Sequence, residues 1–312
     1  MLAIGALALA TLPAASLLAQ GMGNGPYMVM ETGRSYTRLQ DAVSAIGAGR
    51  ATIAIAPGRY AECAVQEAGD ISYYAQKPGS VIFDGQACEG KATLVLRGTS
   101  AQVSGIIFQN IKVSDGNGAG IRIEKGHLTV AQSWFRDSQQ GILSANDPQG
   151  RIVIDKSTFS RLGTCEFSSG CAHSLYIGHY GQLRVTRSRF EEGRGGHYVK
   201  SRAARVEVAS SSFDDSGGRG TNYMIDLPAG AVGQITNNWF AQGLNKENRS
   251  AFIAIAAEAR DNTSNGLQIA ANDARLGPSA PWTSVFVADW SGDQIALGEN
   301  KLGAGLKRYE RR

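Results

Sequence analysis

The sequence repeats the tripeptide Ser133-Trp-Phe135 as Ser157-Thr-Phe159, Ser188-Arg-Phe190, Ser211-Ser-Phe213 and Asn238-Trp-Phe240. The phenylalanines in this series lie 24, 31, 23 and 27 residues apart, and Phe108 precedes the first of them by 27. Self-similarity with a period of this size is typical of a repeat architecture, in which each period folds as one structural unit.

Each period also contains two short runs of alternating apolar residues. One run precedes the phenylalanine, as in residues 152–154, and the other follows it, as in residues 175–177. Runs of this length suit strands and are too short for helices. A single period cannot bury its apolar face alone, so the sequence predicts that the periods stack as coils of a parallel β-solenoid. A β-sandwich also has short strands, but it gives no reason for the tripeptide to recur in register.

The sequence predicts a single all-β domain at residues 21–312, after a signal peptide at residues 1–20. An apolar stretch followed by small residues up to Ala19 is typical of a secretory signal, with a membrane anchor as the alternative. No later segment is long enough for an integral membrane span, so none is predicted in the mature chain. Within the domain we expect an N-terminal cap with a short helix, then coils, then a C-terminal cap with a solvated basic tail. These parts are predicted at about residues 30–50, 51–300 and 301–312.

The four cysteines predict two disulfides. Cys63 and Cys88 are 25 residues apart, which is one coil, and Cys165 and Cys171 bracket a short loop within the longest period. Disulfides form in oxidising compartments, so the protein is predicted to be periplasmic or secreted. No C-x2-C pair exists, and the sequence predicts neither a metal site nor another cofactor.

The segments 36–43 and 52–60 resemble the N-terminal cap and first strand of the right-handed parallel β-helix superfamily, which is typified by pectate lyases. The resemblance covers roughly residues 30–300 and implies a right-handed parallel β-helix. This pectin lyase-like superfamily contains polysaccharide lyases, hydrolases, esterases and epimerases as well as phage adhesins. Function must therefore be argued from the site.

Charge composition argues against one class of partner. The chain has 31 basic and 27 acidic residues, a formal net charge of +4, and the two signs are interspersed. No nucleic-acid recognition motif is present, so nucleic acid is not predicted as a partner. A local basic groove is expected to bind an acidic polysaccharide or oligosaccharide.

Polar side chains concentrate between positions 165 and 228. Side chains alternate between the two faces of a strand. If the apolar neighbours of Tyr176, Lys200 and Asp226 point into the core, these three residues form an outward row with rungs about 4.8 Å apart. The same alternation predicts that Tyr198 and Arg202 point outward.

This row supplies the groups for β-elimination on a uronic acid. Arg202 or Arg219 suits the neutralisation of the carboxylate. Lys200 or His197 suits the removal of the C5 proton, and Tyr176 or Tyr198 suits the protonation of the leaving oxygen. The substrate is predicted to contact His173, His179, Tyr180, Tyr198, Tyr223 and Asp226.

The pair Lys200-Ser201 resembles the Lys-Ser motif of polysaccharide lyase family six. In that family the lysine is the base and an arginine about one coil later is the acid, which implies these roles for Lys200 and Arg219. Ala204 stands where the family has an asparagine, and the sequence gives no support for the calcium that the family binds.

The sequence thus favours a lyase of a uronate-containing polysaccharide. A uronate C5-epimerase would use nearly the same groups, and a non-catalytic glycan-binding or surface protein would use the outward row as a binding strip. A glycoside hydrolase would need two carboxylates beside the sugar, with Asp226 as the first. The neighbouring Asp214 and Asp215 are interpreted as turn residues, because acidic residues also follow Phe190.

Overall fold

The computed structural model describes residues 24–166 and 170–312. The predicted signal peptide at 1–20 lies outside the described residues. In the described part, the strands form three long sheets, one of 12 strands and two of 10. One helix, α1 at Leu39–Ile46, is also present there.

The first sheet starts with two antiparallel pairings and is parallel from its third strand onward. Its strands are β1 Tyr27–Val29, β2 Arg34–Tyr36, β3 Arg50–Ile55, β6 Asp70–Ala75, β9 Ser100–Ser104, β12 His127–Ala131, β15 Asp147–Asp155, β18 Tyr180–Thr186, β21 Arg205–Ala209, β24 Val232–Thr236, β27 Gln268–Ala270 and β30 Ala296–Leu297.

The second sheet carries the phenylalanines of the repeat and is parallel throughout. Its strands are β4 Gly58–Tyr60, β7 Val81–Asp84, β10 Ile106–Gln109, β13 Trp134–Arg136, β16 Thr158–Ser160, β19 Arg189–Glu191, β22 Ser212–Asp214, β25 Trp239–Gln242, β28 Asp273–Leu276 and β31 Lys301–Leu302.

The third sheet is also parallel and carries the predicted outward row. Its strands are β5 Ala64–Gln66, β8 Ala92–Leu96, β11 Ala119–Ile123, β14 Gln140–Ser144, β17 Leu175–Ile177, β20 Val199–Ser201, β23 Ile225–Leu227, β26 Ala251–Ile255, β29 Ser284–Asp289 and β32 Leu306–Arg311.

The chain visits the three sheets in rotation, so every third strand pairs with its predecessor in the same sheet. One coil consists, for example, of β18, β19 and β20, and β21 then pairs with β18. This is a parallel β-helix, which confirms the predicted fold class. Its core lies between the three sheets.

The repeated phenylalanine forms a stack along the axis of this core. The rings of Phe159 and Phe190 have centroids 4.8 Å apart and are nearly parallel, with an interplanar angle of 8°. Their Cα atoms are in register in β16 and β19. A spacing of about 4.8 Å is the distance between hydrogen-bonded strands. The sequence period therefore corresponds to one coil, and each phenylalanine packs on its counterpart in the next.

The small polar residue of the tripeptide has a separate function at the corner between the first and second sheets. The Ser188 backbone N–H donates to Ser211 Oγ at 3.1 Å, and the Ser211 N–H donates to Asn238 Oδ1 at 3.0 Å. The residue before Ser188, Arg187, has a left-handed φ of 50°, which turns the chain at this corner. A buried backbone N–H without a hydrogen-bond partner destabilises the fold. Here the side chain of the equivalent residue in the next coil accepts that hydrogen bond.

The N-terminal end of the solenoid is covered by the chain itself, and the C-terminal end finishes in a last strand. At the N-terminal end, α1 buries Leu39, Ala42 and Val43 in the main core. At the other end, β32 pairs with β29. The backbone of this predicted basic tail continues the third sheet, and its Lys307 and Arg308 side chains are exposed. No helix in the described part of the chain is long and apolar enough to cross a membrane.

Both predicted disulfides are present. Cys63 bonds to Cys88 with their Cα atoms 5.5 Å apart. Cys165 bonds to Cys171 with their Cα atoms 4.2 Å apart. The first bond joins neighbouring coils and the second closes the loop in the longest period.

Candidate functional site

A groove of about 500 Å³ lies on the outer face of the third sheet. Basic and hydroxyl or amide side chains predominate in its polar lining. These polar lining residues are Lys91, Asp115, Asn117, Arg122, Ser144, Asn146, Tyr176, His179 and Arg202. The groove therefore presents an electropositive surface with one carboxylate among its lining groups.

The register of the third sheet places Tyr176, the first residue of the predicted outward row, in the lining of this groove, and Lys200 and Asp226 follow it beyond the lining. Tyr176 in β17 pairs with Lys200 in β20, and Lys200 pairs with Asp226 in β23. In the opposite direction, Tyr176 pairs with Leu143 in β14, and Leu143 pairs with Arg122 in β11. The row thus runs along the helix axis for at least five coils.

Tyr176 and Arg202 form a polar pair on the floor of the groove. Arg202 Nη1 donates a hydrogen bond of 2.6 Å to the Tyr176 hydroxyl oxygen. The guanidinium carbon also lies 5.4 Å from the centroid of the Tyr176 ring. Arg202 directly follows β20, so the bond links neighbouring coils. The Tyr176 hydroxyl consequently lies beside a permanent positive charge.

Glu258 is the acidic partner of this cluster. It follows β26 and accepts hydrogen bonds from Lys200 Nζ and Arg202 Nη2. Partial burial opposes ionisation, but the contacts with Lys200 and Arg202 outweigh it and lower the pKa of Glu258. Its side chain is 46% exposed, so this carboxylate covers the two cations from the solvent side.

Asp226 lies in the coil after that of Lys200 and is buried. The distance from Lys200 Nζ to Asp226 Oδ2 is 3.3 Å. Burial raises the pKa of Asp226 to about 6, although the charge of Lys200 opposes the shift. Asp226 Oδ1 is buried without a hydrogen-bond partner in the described structure. Lys200 is therefore held between two carboxylates, one exposed and one buried.

His173 and His197 form a buried pair next to this carboxylate. The backbone N–H of His197 donates to His173 Nδ1 at 3.0 Å, and the two Nδ1 atoms are 3.2 Å apart. A backbone N–H can only donate, so His173 Nδ1 is an acceptor and the hydrogen between the rings belongs to His197 Nδ1. His197 Nε2 then carries the lone pair, 3.6 Å from Asp226 Oδ2.

Both imidazoles are neutral at neutral pH. Burial, reinforced by the charges of Lys200 and Arg202, lowers the pKa of His173 to about 3. Burial is also the main cause that lowers the pKa of His197 well below its ordinary value, and His173 and Lys200 add to it. A neutral imidazole can accept a proton.

Comparison with known proteins identifies the fold. No protein-family model and no curated protein matches the chain. An alginate lyase from Paenibacillus sp. str. FPU-7 superposes with a TM-score of 0.65 at 14% identity, over 87% of this chain and 94% of that one. The chain has the parallel β-helix fold.

Two further solved structures share this β-helix fold. The rice weevil pectin methyl esterase gives a TM-score of 0.51 at 12% identity, over 91% of this chain and 90% of that one. ORF18 of Geobacillus virus E2 gives a TM-score of 0.50 at 11% identity, over 87% of this chain and 56% of that one. At such identities the likeness shows the fold alone.

Two of the predicted substrate contacts are wrong. Tyr180 and Tyr198 are each 1% exposed and belong to the core. Tyr198 precedes β20, and its hydroxyl donates to Asp215 Oδ1 at 2.7 Å. Alternation fixes side-chain direction only within a strand, and both tyrosines lie at strand ends where the chain turns. Asp215 is itself fully buried, so it cannot contact a sugar.

The other predicted residues lie at different distances from the groove. His179 lines it, and its Nε2 is 3.9 Å from Asp261 Oδ2. The Tyr223 ring lies 5.6 Å from that of His197. Arg219 is exposed in the loop before β23 and forms no ion pair within the described residues. That part of the chain also contains no group of three or more His, Cys, Asp or Glu side chains that could hold a metal ion.

Glu258 was not predicted from the sequence. It stands in Ala256-Ala-Glu-Ala-Arg260, after a run of apolar residues, and no motif marks it. Its distance of 58 residues from Lys200 spans more than two coils. The only available signal was its place just after a strand of the third sheet, one coil beyond Asp226.

Proposed function

We propose that this β-helix cleaves a uronate-containing polysaccharide by β-elimination in the groove. The observation that carries the proposal is that one carboxylate, that of Glu258, contacts both Lys200 and Arg202 beside the Tyr176 hydroxyl. Two cations that hold a carboxylate of the protein suit the carboxylate of a uronate. The names of two structures with this fold, an alginate lyase and a pectin methyl esterase, support an acidic polysaccharide as substrate.

In the proposed reaction, the uronate carboxylate replaces Glu258 at Lys200 and Arg202, which makes the C5 hydrogen more acidic. The neutral imidazole of His197 accepts the C5 proton. The electron pair of the C5–H bond forms the C4–C5 double bond, the C4–O bond breaks, and the Tyr176 hydroxyl protonates the departing oxygen. Arg202 stabilises the negative charge that develops on the Tyr176 oxygen.

Lys200 is the second candidate for the base, as in the sequence prediction. Its amine contacts two carboxylates in the structure, which favours a role in binding the substrate carboxylate. His197 has no such competing contact below 3.5 Å with an acidic group among the described residues. We therefore assign the base to His197 and carboxylate binding to Lys200 and Arg202.

The test is the ultraviolet absorbance of the unsaturated uronate that elimination creates. The chain would be incubated with polymannuronate, polyguluronate, polygalacturonate and a neutral glucan. We expect absorbance to rise with at least one acidic polymer and not with the glucan. No rise with any acidic polymer would contradict the proposed reaction.

Binding without cleavage is a second candidate function. The side chains of His197 and Lys200 are only 11% and 10% exposed, so a sugar must displace Glu258 to reach them. If it does not, the groove is a binding strip. Retained binding of an acidic polymer with no change in its chain length would favour this alternative. A change in uronate stereochemistry without cleavage would favour an epimerase.

We also propose that the protein acts outside the cytoplasm. The two disulfides are consistent with an oxidising compartment. Polymeric substrates of this class occur outside cells, so export and the proposed activity support each other.

A further inference from the structure

The groove continues past Tyr176 toward the N-terminal end of the solenoid and reaches Arg122. Tyr176, Leu143 and Arg122 occupy consecutive positions of the outward row. Two rungs of a sheet correspond to roughly 10 Å along the axis. Arg122 therefore lies in the same groove as the proposed reaction centre but too far away to contact the same sugar carboxylate.

Arg122 differs from the other cations at this end of the groove because it has no matched carboxylate. Its Nε is buried and has no hydrogen-bond partner in the described structure. The carboxylate that approaches it is Glu124, whose Oε1 is 3.9 Å from that Nε, beyond hydrogen-bond distance.

Glu124 is already occupied by other cations. Its Oε1 accepts from Lys91 at 2.9 Å, and its Oε2 accepts from Arg97 at 2.6 Å. Lys91 and Arg97 also contact Glu89. Glu89 and Glu124 are thus shared by Lys91 and Arg97, and Nε of Arg122 keeps an unsatisfied donor. The Arg122 side chain as a whole is 23% exposed and lines the groove, so its charge is available to an anionic ligand there.

We propose that Arg122 binds the carboxylate of a second uronate residue, on the N-terminal side of the sugar that Tyr176 contacts. This inference rests on the proposed function for the class of ligand. A planar guanidinium can bind a carboxylate through two parallel hydrogen bonds, which a neutral sugar cannot accept in the same way. The groove then selects polymers that carry a uronate at both positions over polymers in which neutral sugars occupy the second.

The test uses acidic oligosaccharides of increasing length, prepared from polymannuronate and polygalacturonate, and measures their binding to the full chain by calorimetry. Arg122→Gln should weaken binding of the long oligosaccharides by roughly tenfold to a hundredfold. The shortest oligosaccharides, which fill only the Tyr176 end, should bind as before. Where a polymer is cleaved, KM should rise and kcat should stay within about twofold.

The matched control is Arg184→Gln. Arg184 lies on the first sheet, is 49% exposed and pairs with Glu207, so its loss changes the net charge equally without touching the groove. Arg122→Lys keeps the charge and removes the planar guanidinium, so it should give an intermediate loss of affinity for the long oligosaccharides. Thermal unfolding of all three variants shows whether each is folded.

Several outcomes would overturn the inference. They are an equal loss of affinity at every oligosaccharide length, no loss at any length in a folded variant, and an unsubstituted chain that binds no acidic oligosaccharide. If both Arg122 variants fail to fold, the residue is structural and the inference is also overturned. Suppose instead that Arg122→Gln weakens binding only of the long oligosaccharides and that no unsaturated product forms. This result would refute β-elimination and support the Arg122 subsite.

Discussion

The hydroxyl oxygen of Tyr176 accepts a hydrogen bond of 2.6 Å from Nη1 of Arg202 at the floor of the groove. The bond joins adjacent coils of the third sheet, since Tyr176 pairs with Lys200, two residues before Arg202. A hydroxyl that donates its proton to a sugar oxygen acquires negative charge, and a fixed guanidinium stabilises that charge without reorganising.

Tyr176→Phe should therefore lower kcat by about a hundredfold to ten-thousandfold, with little change in KM. The substitution removes one oxygen and retains the ring that lines the groove. Tyr74→Phe is the control, because Tyr74 is 43% exposed on the first sheet and should behave like the unsubstituted chain. Turnover of the Tyr176 variant at the parent rate would exclude the hydroxyl as the proton donor.

Glu258→Gln should strengthen substrate binding. In the free protein the Glu258 carboxylate contacts the two cations that the uronate is proposed to bind, so it competes with the substrate. An amide retains the size and removes the charge, and we expect KM to fall by roughly threefold to tenfold. Glu299→Gln, at an exposed site near the C-terminal end, is the control. A rise in KM would indicate instead that Glu258 orients Lys200 and Arg202.

The outward row was predictable because two simple regularities determine it. Strand alternation gave the direction of Tyr176, Lys200 and Asp226, and the repeat gave their register. Sequence alone could locate these side chains because each lies inside a strand, where backbone geometry determines its direction.

Residues outside the strands were not predictable in this way. Glu258 reaches Lys200 from a turn more than two coils away, and a turn conformation does not follow from alternation. Tyr198 was placed outside because alternation was extended one residue beyond β20. The corner reverses its direction, and the ring packs against Phe213 with centroids 6.5 Å apart.

Two substitutions should distinguish the candidate bases. If His197 accepts the C5 proton, His197→Gln should reduce kcat to the background rate, while Lys200→Met should mainly raise KM because a carboxylate contact is lost. Kinetics at saturating substrate, with folding checked by circular dichroism, would measure both effects. The reverse pattern, with kcat abolished only in the Lys200 variant, would assign the base to Lys200.

Asp226→Asn should change how stability depends on pH. The native pKa of about 6 lies above the ordinary value of 3.8, so the native state holds this proton more tightly than the unfolded chain. The resulting stability is complete below about pH 4 and is lost as pH rises through 6. The free energy of unfolding of the variant should therefore exceed that of the parent by up to about 3 kcal/mol at neutral pH. Near pH 3.5 the two free energies should be equal.

Urea unfolding of both proteins at the two pH values would measure this difference. His173, whose native pKa of about 3 lies below the ordinary 6.5, has the opposite sign: its stability is present above 6.5 and is lost as pH falls. Both proteins contain His173, so its contribution to the free energy of unfolding should largely cancel when they are compared. A stability gain of equal size at both pH values would contradict the assignment to the Asp226 proton.

Lys246→Met should destabilise the fold. Lys246 Nζ is 3.1 Å from Asp215 Oδ2, and the two side chains are 1% and 0% exposed. Removing the lysine leaves a buried carboxylate without its cation, which typically costs about 3–5 kcal/mol. Hydrogen bonds from Tyr198 and Thr221 to Oδ1 remain but supply no charge.

The double variant Lys246→Met with Asp215→Asn is the matched control, because it removes both charges and should recover part of the lost stability. Urea unfolding would measure all three proteins. A Lys246 variant as stable as the parent would contradict the free-energy cost assigned to the unpaired Asp215 carboxylate.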